Sequence, residues 1–145
     1  MADRSAPSTR EDYPVFRTLQ TRWRDGDVYG HINNVVHYEM FDTVVNGWMM
    51  EHGVLDPKSG ETIGLVVESG CRYSGEIVFP DTVTAGLKVT HVGRSSVRYE
   101  IGLFRNDDQA TSAEGYFVHV CVDAESRRPV ALPNDLRTAL ATLET

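Results

Sequence analysis

Long apolar runs are missing from this chain of 145 residues. No stretch approaches the roughly 18 uninterrupted apolar residues of a membrane span, so no membrane is expected as a partner. The amino terminus, MADRSAPSTREDYP, has no apolar block of the kind a secretory leader carries, and a cytoplasmic location is the expectation. Cysteine is scarce: Cys71 and Cys121 lie far apart in strand-like apolar segments without C-x-x-C spacing. That excludes a disulfide framework and reads both as reduced core residues. Basic residues are outnumbered, 14 Lys and Arg against 21 Asp and Glu, for a formal charge of -7. Nucleic acids and anionic bilayers are held largely by clustered Lys and Arg, so no nucleic acid is expected as a partner. There is no G-x-S-x-G elbow, no Gly-rich phosphate loop and no dinucleotide fingerprint. His37, His52, His91 and His119 show no ligand spacing with one another or with the cysteines. They read as surface or core-edge residues; no metal and no cofactor is expected.

What is present is an ordinary balance for one compact domain, 41% hydrophobic and 24% charged. Residues 1–12 are polar and aperiodic and read as a loose tail, leaving 13–145 for a single domain. Val15 to Trp23 reads as a first strand. Val35 to His52 repeats large apolar groups at Tyr38, Phe41, Val45, Trp48 and Met49, which is helical spacing, and Gly53 is a natural terminator. Ile63 to Tyr73 is a further strand. Period-two alternation marks three more, on Val83, Ala85, Leu87 and Val89, on Val97, Tyr99, Ile101 and Leu103, and on Tyr116, Val118, Val120 and Val122. Turns are expected at Gly93-Arg94 and at Asn106-Asp107-Asp108. Pro133 to Leu143 closes the chain with a short helical pattern on Leu136, Leu140 and Leu143. The order strand, long helix, four strands, short helix predicts an α+β fold. In it one antiparallel curved sheet of about five strands wraps a long central helix, because the apolar face of each needs the other.

The chemically densest segment is Asp25-Gly26-Asp27-Val28-Tyr29-Gly30-His31-Ile32-Asn33-Asn34, directly before the long helix. A helix start presents unpaired backbone N–H groups and the positive end of the macrodipole, which stabilise negative charge on a carbonyl oxygen. Asn33 or Asn34 suits the cap. A carboxylate held beside that start can attack an acyl carbon or activate a water, and Asp27 is the candidate. Thioesters suit such a site, since their carbonyl has weak resonance protection and the thiolate leaves readily. The bland alternative is a turn plus an N-cap, which such residues usually form. Asp25 reads as a brace for the loop, and His31 as a supporting residue whose structural role outweighs a chemical one. Trp23 and Trp48 read as packing residues.

The run from Arg22 to Asp42, RWRDGDVYGHINNVVHYEMFD, resembles the signature of the hydroxybenzoyl-CoA thioesterase-like hotdog family. The resemblance continues through Cys71-Arg72-Tyr73, Phe79-Pro80-Asp81 and Val92-Gly93-Arg94-Ser95-Ser96, so it covers most of residues 15–125. It implies a hotdog fold and hydrolysis of an acyl-CoA thioester to free acid and CoA. Asp27 falls on the catalytic carboxylate, acting as nucleophile or general base, and Asn34 falls at or beside the backbone N–H that polarises the carbonyl. Asp42 matches a position that in some relatives contacts a polar substituent on the acyl group; a solvent-facing helix carboxylate is the alternative. Gly93, Arg94, Ser95 and Ser96 fall where the family often holds the nucleotide, against the alternative of a plain polar hairpin; a guanidinium and two hydroxyls suit phosphate oxygens. Arg72 and Arg98 are candidates to enlarge that patch. The family tyrosine is replaced by His37, and Met40 also departs from the pattern, which bears on the acyl group accepted.

The resemblance also implies a homodimer with acyl sites at the interface, commonly paired into a homotetramer. A single sheet layer likewise leaves a face and an edge to be covered. Two rival functions remain, a noncatalytic acyl-CoA-binding module and a hotdog hydratase or dehydratase. Against the second, Asp27 and His31 stand four apart with Val-Tyr-Gly between them, where that group typically has Asp and His five apart with Asn-Pro between. An acyl carrier protein in place of CoA stays open as the thiol carrier.

Overall fold

The computed structural model describes residues 6–55 and 60–145. Five strands and two helices follow in the order β1 (Val15–Gln20), α1 (Asn34–Glu51), β2 (Thr62–Tyr73), β3 (Thr82–Val92), β4 (Ser96–Arg105), β5 (Ala113–Asp123) and α2 (Asn134–Leu140). All strand pairs are antiparallel and the sheet order is β1-β3-β4-β5-β2. This is the curved sheet around a central helix that the sequence pattern predicts, and the hotdog architecture that the resemblance implies. No helix among the described residues is long and apolar enough to cross a membrane.

The central helix begins where Asn33, in extended conformation, accepts the Val35 N–H on its side-chain oxygen at 3.0 Å, satisfying one of the orphan donors of the first turn. It ends just before Gly53, whose φ of +68° suits a residue without a Cβ and whose N–H returns to the Met50 carbonyl. Between them Met40, Phe41, Val44, Val45, Trp48 and Met49 form one buried stripe against the sheet. Phe41 lies directly over Gly115 of β5, where any Cβ would collide with its ring. Phe41→Ala is therefore expected to open a void that Gly115 cannot fill. The cost is about 3–5 kcal/mol, read as a lower urea midpoint at unchanged m-value.

Three details differ from the sequence reading. The first strand stops at Gln20, because the Thr21 amide and hydroxyl both donate to the Asp81 carbonyl, at 3.2 and 2.6 Å. The chain then enters a single 3-10 turn, Trp23–Asp25. That turn swings Trp23 outward to 83% exposure, edge-on to Phe79, so it is not a core residue, whereas Trp48 is. In β5 the face toward the helix is Ala113, Gly115, Phe117, His119 and Cys121; Tyr116, Val118 and Val120 are half-buried on the opposite face. Period-two alternation fixes which residues share a face but not which face turns inward when both carry apolar groups.

Of the segment 1–12, the part from Ser8 to Asp12 is bonded to the body. Ser8 donates through N–H and hydroxyl to Glu114, Thr9 bridges Ala110, and Arg10 reaches the carbonyls of Asn106 and Asp108. Both cysteines are free thiols, Cys121 buried and Cys71 half-buried.

Register gives the sheet two ends. Gln20, Thr82, Arg105, Ala113 and Tyr73 lie at one, and Val92, Ser96, Asp123 and Thr62 at the other. The helix start belongs to the first, since the His37 ring packs edge-on against Tyr73 with centroids 4.8 Å apart. The helix finish belongs to the second, where the Tyr99 hydroxyl meets the Met49 sulfur.

Candidate active site

Asp27 to Gly30 closes as a β-turn, with the Gly30 N–H on the Asp27 carbonyl at 3.1 Å and Gly30 at φ +86°. An acidic residue opening such a turn and a glycine at its fourth position is the expected chemistry. The strands of the small loop are zipped behind the turn. The Asp27 N–H donates to the His31 carbonyl at 2.7 Å, Gly26 bridges Ile32, and Ile32 is buried with its N–H on the Ile77 carbonyl. Asp25 is 2% exposed and braces the base as its sequence position suggested. Its carboxylate accepts the Arg22 N–H and guanidinium, while its carbonyl accepts the Asn33 N–H at 2.8 Å.

This bracing fixes the loop that carries the half-buried Asp27, seven residues ahead of the first residue of α1. One carboxylate oxygen accepts the Tyr29 N–H at 2.8 Å and the other has no partner among the described residues. The Asn34 N–H, first of the helix, likewise has no acceptor among the described residues. A half-held carboxylate and an unclaimed helix N–H are thus carried by one braced segment, seven residues apart. The His31 ring points elsewhere, with Nε2 3.1 Å from Glu76, so its link to Asp27 runs through its carbonyl. His37 is buried just inside the helix start, its Nδ1 without a partner. Burial pushes its imidazole below the usual range, although the Asn33 and Asn34 backbone pulls the other way.

The remaining candidates do not gather here within one chain. Asp42 is exposed on α1 and accepts the Asn46 side-chain amide at 3.0 Å. Gly93, Arg94, Ser95 and Ser96 form the β3–β4 hairpin at the other end of the sheet, closed by the Gly93 N–H on the Ser96 carbonyl. Its carbonyls accept from Arg137, Leu132 and Cys121, which leaves the exposed Arg94 guanidinium in no ion pair among the described residues. Arg72 and Arg98 do not extend that patch. They lie against Glu114 and Glu100, and Arg98 also stacks on Tyr116 at 3.9 Å. Four cavities of the isolated chain have no wall formed by Asp27.

Large apolar groups are exposed at the loop, at the helix start and along β2. Val28 and Tyr29 at the turn tip and Val35 on the helix start are largely exposed, and Leu65, Val66, Val67 and Tyr73 on the strand are partly so. Val67 is the extra residue where the β2–β5 register slips between Val66 and Glu68. Sequence reasoning missed the polar group that His119 places in the core. A histidine following Phe117 at two residues' distance was its signal.

The chain matches the model of the thioesterase-like superfamily over residues 21–140. The crystal structure of the PA5185 protein of Pseudomonas aeruginosa is similar with a TM-score of 0.93 and 48% identity, covering 96% of this chain and 97% of that one. A thioesterase from Thermus thermophilus, crystallised with coenzyme A and zinc, is similar with a TM-score of 0.74 and 29% identity, over 92% and 96%. By sequence, the YsmA protein of Bacillus subtilis is 22% identical over 131 residues, 90% of this chain and 88% of its own length.

Proposed function

The chain belongs to the thioesterase-like superfamily, and from that premise we propose that it hydrolyses an acyl-CoA thioester to free acid and CoA with Asp27 as the reacting carboxylate. The observation that carries the reading is the mouth of α1. There one braced segment carries both a carboxylate oxygen of Asp27 and, seven residues on, the first N–H of the helix at Asn34, neither with a hydrogen-bond partner among the described residues. A carbonyl oxygen received by that N–H gains hydrogen-bond and macrodipole stabilisation as it becomes an oxyanion. The free Asp27 oxygen then either attacks the acyl carbon, expelling CoA thiolate and leaving an anhydride that water opens, or takes a proton from the water that attacks. Both routes use the same carboxylate and neither needs a metal.

The CoA end is assigned to the Gly93-Arg94-Ser95-Ser96 hairpin, whose exposed guanidinium suits phosphate oxygens; the Thermus thermophilus relative was crystallised with coenzyme A. Within one chain that hairpin and Asp27 occupy opposite ends of the sheet. Pairing the free β2 edge with itself in a second copy resolves this, because antiparallel self-pairing about a two-fold axis sets the first end of one chain against the second end of the other. The functional unit is then at least a homodimer. The half-buried apolar face of Tyr116, Val118 and Val120 offers a surface for pairing dimers into a tetramer.

A panel of acyl-CoAs assayed with a thiol-reactive dye tests the activity. At least one member is expected to release thiol with kcat/KM on the order of 10⁴ M⁻¹s⁻¹ or higher. Tight acyl-CoA binding without thiol release from any member would assign the chain to a noncatalytic binding role.

A further inference from the structure

A cavity of about 80 Å³ lies at the far end of α1 from Asp27, with aliphatic walls that include Met49, Leu55 and Ile63. Its lining also carries polar groups, Thr62 at the rim and His119, Tyr99 and Asn46. His119 is more than nine-tenths buried, and its Nε2 has no hydrogen-bond partner among the described residues. The Tyr99 hydroxyl, also buried, meets only the Met49 thioether at 3.6 Å, a weak acceptor. Asn46 donates its side-chain N–H to Asp42, and its own side-chain oxygen accepts nothing among the described residues. A polar atom buried without a partner is costly, and the same face of β5 otherwise carries Gly115, Phe117 and Cys121. A ligand with an apolar body and a hydrogen-bonding tip removes that cost.

The cavity is out of reach of Asp27 in its own chain, since Asn46, the first α1 residue on its wall, lies roughly 18 Å along the helix from Asn34. Across a self-paired β2 edge it is not. Thr62, Ile63 and Gly64 line the cavity and begin β2, while Tyr73, which ends β2, touches the helix start through His37. Antiparallel pairing of two copies therefore brings this cavity beside the helix mouth of the second chain.

Resting on the reading of Asp27 as the site of thioester hydrolysis, we propose that this cavity receives the far end of the acyl group. There His119, with Tyr99 and Asn46, selects acyl chains that end in a hydroxyl over plain alkanoyl chains. A hydroxyl is the fitting group because it both donates and accepts. A terminal carboxylate fits less well, because the charge acting on His119 from α1 is the Asp42 carboxylate and like charges repel.

The test compares alkanoyl-CoAs with ω-hydroxyalkanoyl-CoAs of matched length across a ladder of chain lengths. At the length that fills the cavity, the hydroxylated member is expected to be favoured by about tenfold or more in kcat/KM, as a site built for a hydroxyl rejects the analogue lacking it. His119→Leu should bring that ratio to about one or below it, lowering turnover of the hydroxylated member while raising that of the plain one; His119→Gln should keep the preference. A uniform loss on both series would mark a structural role and overturn the assignment, as would a ratio near one in the wild type at every length. Tyr99→Phe supplies the same comparison if His119→Leu does not fold. Calorimetry on the Asp27→Asn variant separates this inference from the hydrolysis reading. Tighter binding of the hydroxylated CoA ester, abolished by adding His119→Leu, supports the cavity assignment even if no ester is turned over. Equal binding of both members overturns it even if hydrolysis proceeds.

Discussion

Asp27→Asn is expected to lower kcat for acyl-CoA hydrolysis by about a thousandfold, roughly 4 kcal/mol of transition-state stabilisation, with the thermal midpoint and CoA affinity nearly unchanged. The amide has the shape of the carboxylate, and its oxygen can go on accepting the Tyr29 N–H that shapes the turn. The backbone bonds that fix the loop do not involve the side chain: Asp27 N–H to His31, Gly30 N–H to Asp27 and Asn33 N–H to Asp25. What is lost is the unpartnered anionic oxygen, and with it both direct attack and activation of water. Asp27→Ala is a poorer test, since it removes the turn's side-chain bond as well and mixes disorder with chemistry. Near-wild-type kcat in Asp27→Asn, with full occupancy by substrate, would take Asp27 out of the reaction altogether.

The parts of the fold that were legible in the sequence are those where one period decides between two states. The stripe from Phe41 through Val45, Trp48 and Met49 allows only a helix, and its partner had to be a sheet because nothing else in the chain has enough apolar face. The N-cap at Asn33 and the stop at Gly53 are local chemistry and could be read locally. The inward face of β5 could not. Tyr116, Val118 and Val120 are more apolar than the Gly115 and His119 that turn inward, and the choice was made by Phe41, which needs a residue without a side chain opposite it. Trp23 was misplaced for a similar reason. The side chain and backbone of Thr21 take the Asp81 carbonyl, a contact across 60 residues that no local window contains, and the strand ends there. At the candidate site, the loop and its carboxylate were visible because a turn, a cap and a helix start are adjacent in sequence. The separation of Asp27 from the Gly93-Arg94-Ser95-Ser96 hairpin was not, because it depends on strand register.

That separation makes the β2 edge the second test. Val67→Lys is expected to convert the proposed homodimer to monomer in sedimentation at micromolar concentration and to lower kcat/KM by about a hundredfold, an effect of roughly 3 kcal/mol. Val67 sits near the middle of β2, bulged away from its partner strand and 61% exposed, so the chain's own core does not depend on it. In a two-fold pair each copy presents the same residue near the axis. A lysine there confronts its own symmetry mate, and like charges set opposite one another across strands destabilise the pairing. Lysine on an exposed edge is also a device by which soluble proteins prevent edge-to-edge association. If the Asp27 mouth works only when a second copy supplies the hairpin and the cavity, activity per chain in the variant must rise with protein concentration as dimers reform by mass action. Wild-type protein, held together at the same concentrations, must show no such rise. A Val67→Lys monomer that folds and hydrolyses substrate at the wild-type rate would mean that one chain carries a complete site. The opposite ends of the sheet would then have to be joined by substrate geometry rather than by a second copy.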